Sequence, residues 1–179
     1  TVGARLHDDT WEWDGRAWTE RITVNRPQGR LNHGLVYDST RSRVVLFGGS
    51  AEKMIQGSTF LETVAQTWEL DGTNWVSRTL ALEPSARERP VLAFDPVRRR
   101  VVLRGGGLRT NVPLFAADTW VFDGVSWVKV DDAPQPVTAR WNSAVWEPTS
   151  QRVTVFSPGG AWAFDGQTWR RVPPAVPAF

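Results

Sequence analysis

The sequence predicts an all-β fold of short antiparallel strands, grouped four to a sheet and repeated along the chain. Three observations predict it. A nine-residue phrase recurs four times: TWEWDGRAW from Thr10, TWELDGTNW from Thr67, TWVFDGVSW from Thr119 and AWAFDGQTW from Ala161. A second phrase precedes three of these copies: HGLVYDSTRSRVVLFGG from His33, PVLAFDPVRRRVVLRGG from Pro90, and the looser NSAVWEPTSQRVTVFSPGG from Asn142. Helical periodicity is absent, and the apolar runs are short and bounded by turn residues.

Each phrase is a hairpin. In the earlier phrase, strand one carries Gly34 or Ser143 near its start and ends at a turn spanning Asp38 to Arg43, Asp95 to Arg100, or Glu147 to Arg152. Pro96 and Pro148 follow the acid there, where a fixed φ suits the second position of a type I turn. Strand two, Val44 to Phe47 or Val101 to Leu103, is apolar on consecutive residues and is expected to be buried on both faces. In the Trp phrase, strands three and four flank Asp14-Gly15, Asp71-Gly72, Asp123-Gly124 and Asp165-Gly166, a strong hairpin signal. Successive Trp phrases are 57, 52 and 42 residues apart, so the strands persist while one connection shortens.

Of 11 tryptophans, eight fall at the two repeated positions of the phrase: Trp11, Trp18, Trp68, Trp75, Trp120, Trp127, Trp162 and Trp169. Recurrence at one structural position predicts packing between sheets; sugar stacking is the alternative. A light inner strand beside an apolar second strand, with a Trp-led outer half, is what radial packing of blades requires, because space narrows toward the axis. The expected architecture is therefore a β-propeller fragment of about three and a half blades. Residues 1–27 supply strands three and four of a half blade, residues 28–80, 81–132 and 133–174 a full blade each, and 175–179 a Pro-rich tail.

The paired glycines Gly48-Gly49 and Gly105-Gly106 closing strand two, the Trp phrase after them and an arginine before the next strand one resemble the kelch family. The wording R-V-V-L-F-G-G and T-W-x-x-D-G-x-x-W is similar to the bacterial variety of kelch repeat. Ser157 and Pro158 depart from it where the last unit lacks the glycine pair. The resemblance implies a ring of six or seven blades, the others coming from the same protein or from a partner chain. It also implies a weak preference for an exported protein.

Composition narrows the function. Lys plus Arg number 21 against 19 for Asp plus Glu, a near-balance that does not imply nucleic acid, and Arg98 to Arg100 form the one compact basic run, in a turn. With no cysteine there is no disulfide, thiolate metal site or cysteine nucleophile. No stretch has the length of a membrane-spanning helix. Kelch rings include copper radical oxidases, whose site needs a Tyr-Cys cofactor; the single tyrosine, Tyr37, instead aligns with Phe94 and Trp146 as a core aromatic. The Asp-Gly phrase differs in spacing from the sialidase Asp-box. The carboxylate pairs Asp8-Asp9 and Asp131-Asp132, with Glu62, leave acid/base chemistry formally open, though adjacent carboxylates in polar connections are usually solvated. His7 and His33 lie too far apart to suggest a metal site, and His33 is expected to make a structural hydrogen bond. No catalytic residue, metal or cofactor is expected.

Binding residues are expected on one face. The one-to-two and three-to-four turns share the opposite face and are tight. The variable face carries the two-to-three loops, about 50 to 66 and 107 to 117, and the blade-to-blade connections with Arg30, Arg87 and Arg140. The kelch resemblance implies that arginines near this position hold acidic partner peptides; tying neighbouring blades by bonding carbonyls is the other reading, and both stand at this stage. Arg89 is a neighbouring donor. Lys53, Phe60, Arg109 and Phe115, with Met54, Leu108 and Asn111, either pin the loops or meet a partner. The expected function is a non-enzymatic module binding a protein or peptide, with carbohydrate binding or a non-catalytic place in a larger kelch enzyme as the alternative.

Overall fold

The computed structural model describes residues 6–110, 114–131 and 143–173. β1 (Thr10–Trp13) and β2 (Trp18–Arg21) form a two-stranded first sheet. After β3 (Arg30–Leu31), the strands β4 (Gly34–Asp38) and β5 (Arg43–Phe47) begin the second sheet. An excursion through β6 (Ser50–Ile55) and β7 (Ser58–Thr63) precedes its completion by β8 (Thr67–Leu70) and β9 (Trp75–Arg78). The third sheet takes β10 (Val91–Asp95) and β11 (Arg100–Arg104), then, past the short pair β12 (Gly107–Leu108) and β13 (Leu114–Phe115), β14 (Thr119–Phe122) and β15 (Trp127–Asp131). β16 (Ser143–Glu147), β17 (Arg152–Ser157), β18 (Gly160–Phe164) and β19 (Trp169–Arg171) make the fourth. Every full sheet is antiparallel in simple sequence order, and no helix occurs among the described residues.

The sheets stack through their flat faces. β10 lies between β4 and β16, so the first strands of successive sheets run side by side. Strand two is buried as expected except at its start: Val45, Leu46 and Phe47, and Val101, Val102 and Leu103, are all in the core, while Val44 is half-buried. Val45 and Phe47 of the second sheet pack against Phe94, Leu103, Phe122 and Trp127 of the third. Ala93, Val102 and Val121 of the third pack against Val153 and Phe164 of the fourth.

The Trp phrase adds a repeated fastener between sheets. The indole Nε1 of Trp75 donates to Thr10 Oγ1 at 2.9 Å, that of Trp127 to Thr67 Oγ1 at 2.9 Å, and that of Trp169 to Thr119 Oγ1 at 2.8 Å. In each case the last tryptophan of one phrase bonds the first residue of the preceding phrase. Trp127 also stacks on Phe122 at 5.0 Å and meets Phe47 edge-on at 5.5 Å. Arginines at strand ends add further links between sheets: Arg78 Nη2, at the end of β9, donates to Gly124 O at 3.0 Å, and Arg100 Nη2, at the start of β11, to Gly166 O at 2.6 Å.

Turn chemistry explains the hairpins. Asp38 and Asp95 accept the amides two and three residues on, and Glu147 does the same in the fourth sheet. The Asp-Gly turns are four-residue loops closed by the aspartate side chain, as when Asp71 Oδ1 accepts the amides of Thr73 and Asn74.

Three expectations need correction. Trp11 and Trp18 are exposed, Trp18 at 63%, because among the described residues no sheet covers that side of β1 and β2. Tyr37 is 55% exposed, not a core aromatic: its counterpart Phe94 packs on a complete neighbouring sheet, whereas β4 faces the two-stranded first sheet. The loop expected at about 50 to 66 is mostly a regular hairpin, Ser50–Ile55 paired with Ser58–Thr63, because Gln56 and Gly57 both adopt positive φ, 50° and 78°. Ser157 and Pro158 do not disturb the end of strand two; β17 pairs directly into β18 across Pro158-Gly159, with Ser157 opposite Gly160. That missing excursion accounts for the short last spacing.

Candidate binding cleft on the loop face

The glycine pair sets the floor of this face. Gly48 and Gly49 have φ of 71° and 90°, and a Cβ on Gly48 would lie 2.7 Å from Arg87 O, so the connection to the third sheet lies directly on the end of β5. Gly49 N donates to Arg87 O at 2.9 Å, and Glu88 pairs both ways with Gly107.

Arg30 and Arg87 act here as struts. The Arg87 side chain is 0% exposed and makes two bonds to Asp118, Nη1 to Oδ1 at 2.6 Å and Nη2 to Oδ2 at 3.0 Å, while Nη1 also reaches Gly105 O at 3.0 Å. Burial alone would raise the Asp118 carboxyl, but bonds from Arg87 and Trp120 outweigh it and hold it below its ordinary range. Arg30 repeats the arrangement with neutral partners, Gly48 O at 3.2 Å and Gln66 Oε1 at 2.8 Å, and burial lowers its pKa to about 10. Both guanidinium groups are bonded to the chain's own carbonyls and side chains. Each ties the connection to its own sheet, by a carbonyl at the end of strand two and a side chain before strand three, so the bonds run within a sheet, not between neighbouring ones. Arg140 and Asn111 lie outside the described residues. Arg89 stands apart with φ of 52°, its Nε donating to Asn32 Oδ1 at 3.2 Å.

Three of the remaining candidates come together. Lys53, Phe60 and Arg109 line a cleft of about 450 Å³ with Ile55, Leu61 and Ala86, between the β6–β7 hairpin and the connection and loop of the third sheet. Lys53 Nζ pairs with Glu62 Oε1 at 2.7 Å, and Arg109 Nη1 donates to Leu61 O at 3.1 Å. Phe60 is 53% exposed, and Met54, Ile55 and Leu61 are exposed beside it. Phe115 is not in the cleft; its ring lies over Gly107. Lys53, Phe60, Glu62 and Arg109 were legible in the sequence as loop residues, but Ile55, Leu61, Thr63 and Ala86 were missed. Gln56-Gly57 between apolar-containing runs was the signal that would have placed the first two on a hairpin.

A smaller pocket of about 190 Å³ between the first and second sheets gathers His7, Asp9, Arg30 and His33. Its acids are already engaged: Asp9 accepts from Trp11 Nε1 at 2.7 Å, which holds it ionised, and Asp8 pairs with Arg26 at 3.0 Å. Burial, with Arg30 nearby, keeps His33 neutral to lower pH than usual. Among the described residues no group of three potential metal ligands forms.

No family model and no curated protein matches this sequence. Among solved structures the chain is similar to that of YjhT, a kelch-repeat propeller protein, at 12% identity and a TM-score of 0.58. The likeness covers 87% of this chain and 49% of that one, so the chain spans about half the length of YjhT. At this identity the likeness is one of fold: all-β, in four-stranded antiparallel sheets that match half of a propeller.

Proposed function

We propose that the chain is a kelch-type recognition segment that binds a protein or peptide through its loop face and carries out no chemistry of its own. The observation that supports this most is the cleft beside the β6–β7 hairpin, where exposed apolar side chains stand next to cationic ones on a rigid stack of sheets. Because Arg30 and Arg87 are spent as struts, the acid-binding role expected of them passes to Arg109, with Lys53 in the same cleft. The likeness to half of a propeller supports reading these sheets as part of a larger ring, whose other blades come from the same protein or from a partner chain.

The test is selection from a random-peptide display library in parallel with a glycan array. Peptides that bind the wild type and lose affinity with Phe60→Ala or Arg109→Ala, at unchanged near-ultraviolet circular dichroism, support the proposal. Glycan binding unaffected by those two substitutions, with no peptide recovered, rejects it.

A further inference from the structure

The β6–β7 hairpin sits in a three-stranded sheet of order β3-β6-β7, which leaves β7 as an edge. An edge strand presents a row of unpaired backbone donors and acceptors, and folded proteins usually blunt it with proline, bulges or inward charge. β7, Ser58-Thr59-Phe60-Leu61-Glu62-Thr63, has no proline and an unbroken register against β6, and its one charge, Glu62, is neutralised by Lys53. Its residues are otherwise of the kind that favours extended pairing.

The register says which backbone groups point outward. A two-residue turn at Gln56-Gly57 makes Ile55 and Ser58 the closing pair that exchanges both hydrogen bonds. Alternation then pairs Lys53 with Phe60 and Ala51 with Glu62 in the same way. The bond from Val64 N to Gly49 O at 3.0 Å continues that parity. The N–H and C=O groups of Thr59, Leu61 and Thr63 therefore point away from β6. Arg109 marks the open side, since its Nη1 reaches the outward Leu61 carbonyl at 3.1 Å. Among the described residues no other hydrogen bond reaches those three backbone positions and no carboxylate pairs with Arg109.

Resting on the peptide-binding reading above, we infer that β7 is the docking edge: an extended peptide adds beside it as a further strand of the β3-β6-β7 sheet. Its backbone pairs with Thr59, Leu61 and Thr63, an apolar side chain lies on Phe60 and Ile55, and a carboxylate takes Arg109 from the Leu61 carbonyl. The occupant is acidic because the Lys53–Glu62 pair is closed on itself, which leaves Arg109 as the cleft's unbalanced charge.

The test uses peptides selected on the wild-type chain from the random library. Leu61→Pro removes one outward N–H and no bond of the β6–β7 ladder, and Leu61→Ala controls for the lost side chain. The inference predicts that Leu61→Pro weakens binding about tenfold or more while Leu61→Ala stays within about threefold. It further predicts that Arg109→Gln selectively weakens acidic peptides, and that peptide slows amide exchange at Thr59, Leu61 and Thr63 in the wild type. The exchange measurement stands even if the proline variant fails to fold. Peptides that bind Leu61→Pro and wild type equally, with no new protection in β7, overturn the edge and leave peptide binding intact. Recovery of no peptide at all rejects the broader reading as well. A concentration-dependent dimer of the wild type that Leu61→Pro abolishes makes a second copy the occupant and overturns the peptide assignment.

Discussion

At the scale of single residues, one motif position has opposite fates in different sheets. Trp127 is 1% exposed, stacked on Phe122 and bonded to Thr67, whereas Trp18, the same residue of the same phrase, is 63% exposed. Trp127→Ala opens a cavity in the core and is expected to cost about 3–5 kcal/mol, while Trp18→Ala costs well under about 1 kcal/mol; chemical denaturation of the two variants reads the difference. Arg87 and Asp118 make a second case. Asp118→Ala strands a buried guanidinium and should cost about 3–5 kcal/mol at neutral pH. The Asp118 pKa is depressed in the folded state, so its stabilisation is full above the ordinary carboxylate value of 3.8 and drains away as the pH falls through the lower folded value. Melts of wild type and Asp118→Ala should therefore converge below pH 3.8. A gap that stayed constant through acid would mean that the pair contributes packing alone.

At the scale of elements, strand order and hairpins were legible because the signals are local: Asp-Gly and Asp-Pro turns, consecutive apolar residues in strand two, and a phrase repeated in register. The exposure of Tyr37 was not, because the motif fixes which face of β4 it occupies but not what stands opposite. Nor were the struts: the sequence shows Arg87 before strand one, but its partner Asp118 is 31 residues away and is met only when strand three folds back. The β6–β7 hairpin was hidden by its position, where the repeat leads one to expect an irregular loop. The fourth sheet shows what the element is worth, since it closes the same connection with Pro158-Gly159 alone. Replacing residues 50–66 by the short turn of the fourth sheet is thus expected to leave the four-stranded second sheet folded, because β5 and β8 are already paired, and to remove peptide binding. A thermal melt and the library peptides measure the two halves of that expectation.

At the scale of the molecule, stability follows from how many faces of each sheet are covered. The third sheet is packed on both sides, by Val45 and Phe47 of the second and by Val153 and Phe164 of the fourth. The first sheet holds to the second through Trp75 on Thr10, Trp75 N on Asn25 O at 3.3 Å and Val24 N on Asn74 Oδ1 at 2.9 Å. On the fourth sheet's far face Ala161 stands where Thr10, Thr67 and Thr119 accept an indole, so that fastener is absent, and Ser150 stands in place of Arg41 and Arg98, whose side chains lie against Gly124 and Gly166 of the next sheet. That face is a groove of about 370 Å³ lined by Val145, Phe156 and Ala163. In stacked repeats each unit is stabilised by its own fold plus its neighbours, so opening free energy should fall from the middle outward. Amide exchange of the 179-residue chain is predicted to be slowest in β10, β11 and β14, intermediate in β5 and β17, and fastest in β1 and β2. Equal protection across all four sheets would mean that the stack opens only as one cooperative body, in which case the interfaces, not the individual sheets, set its stability.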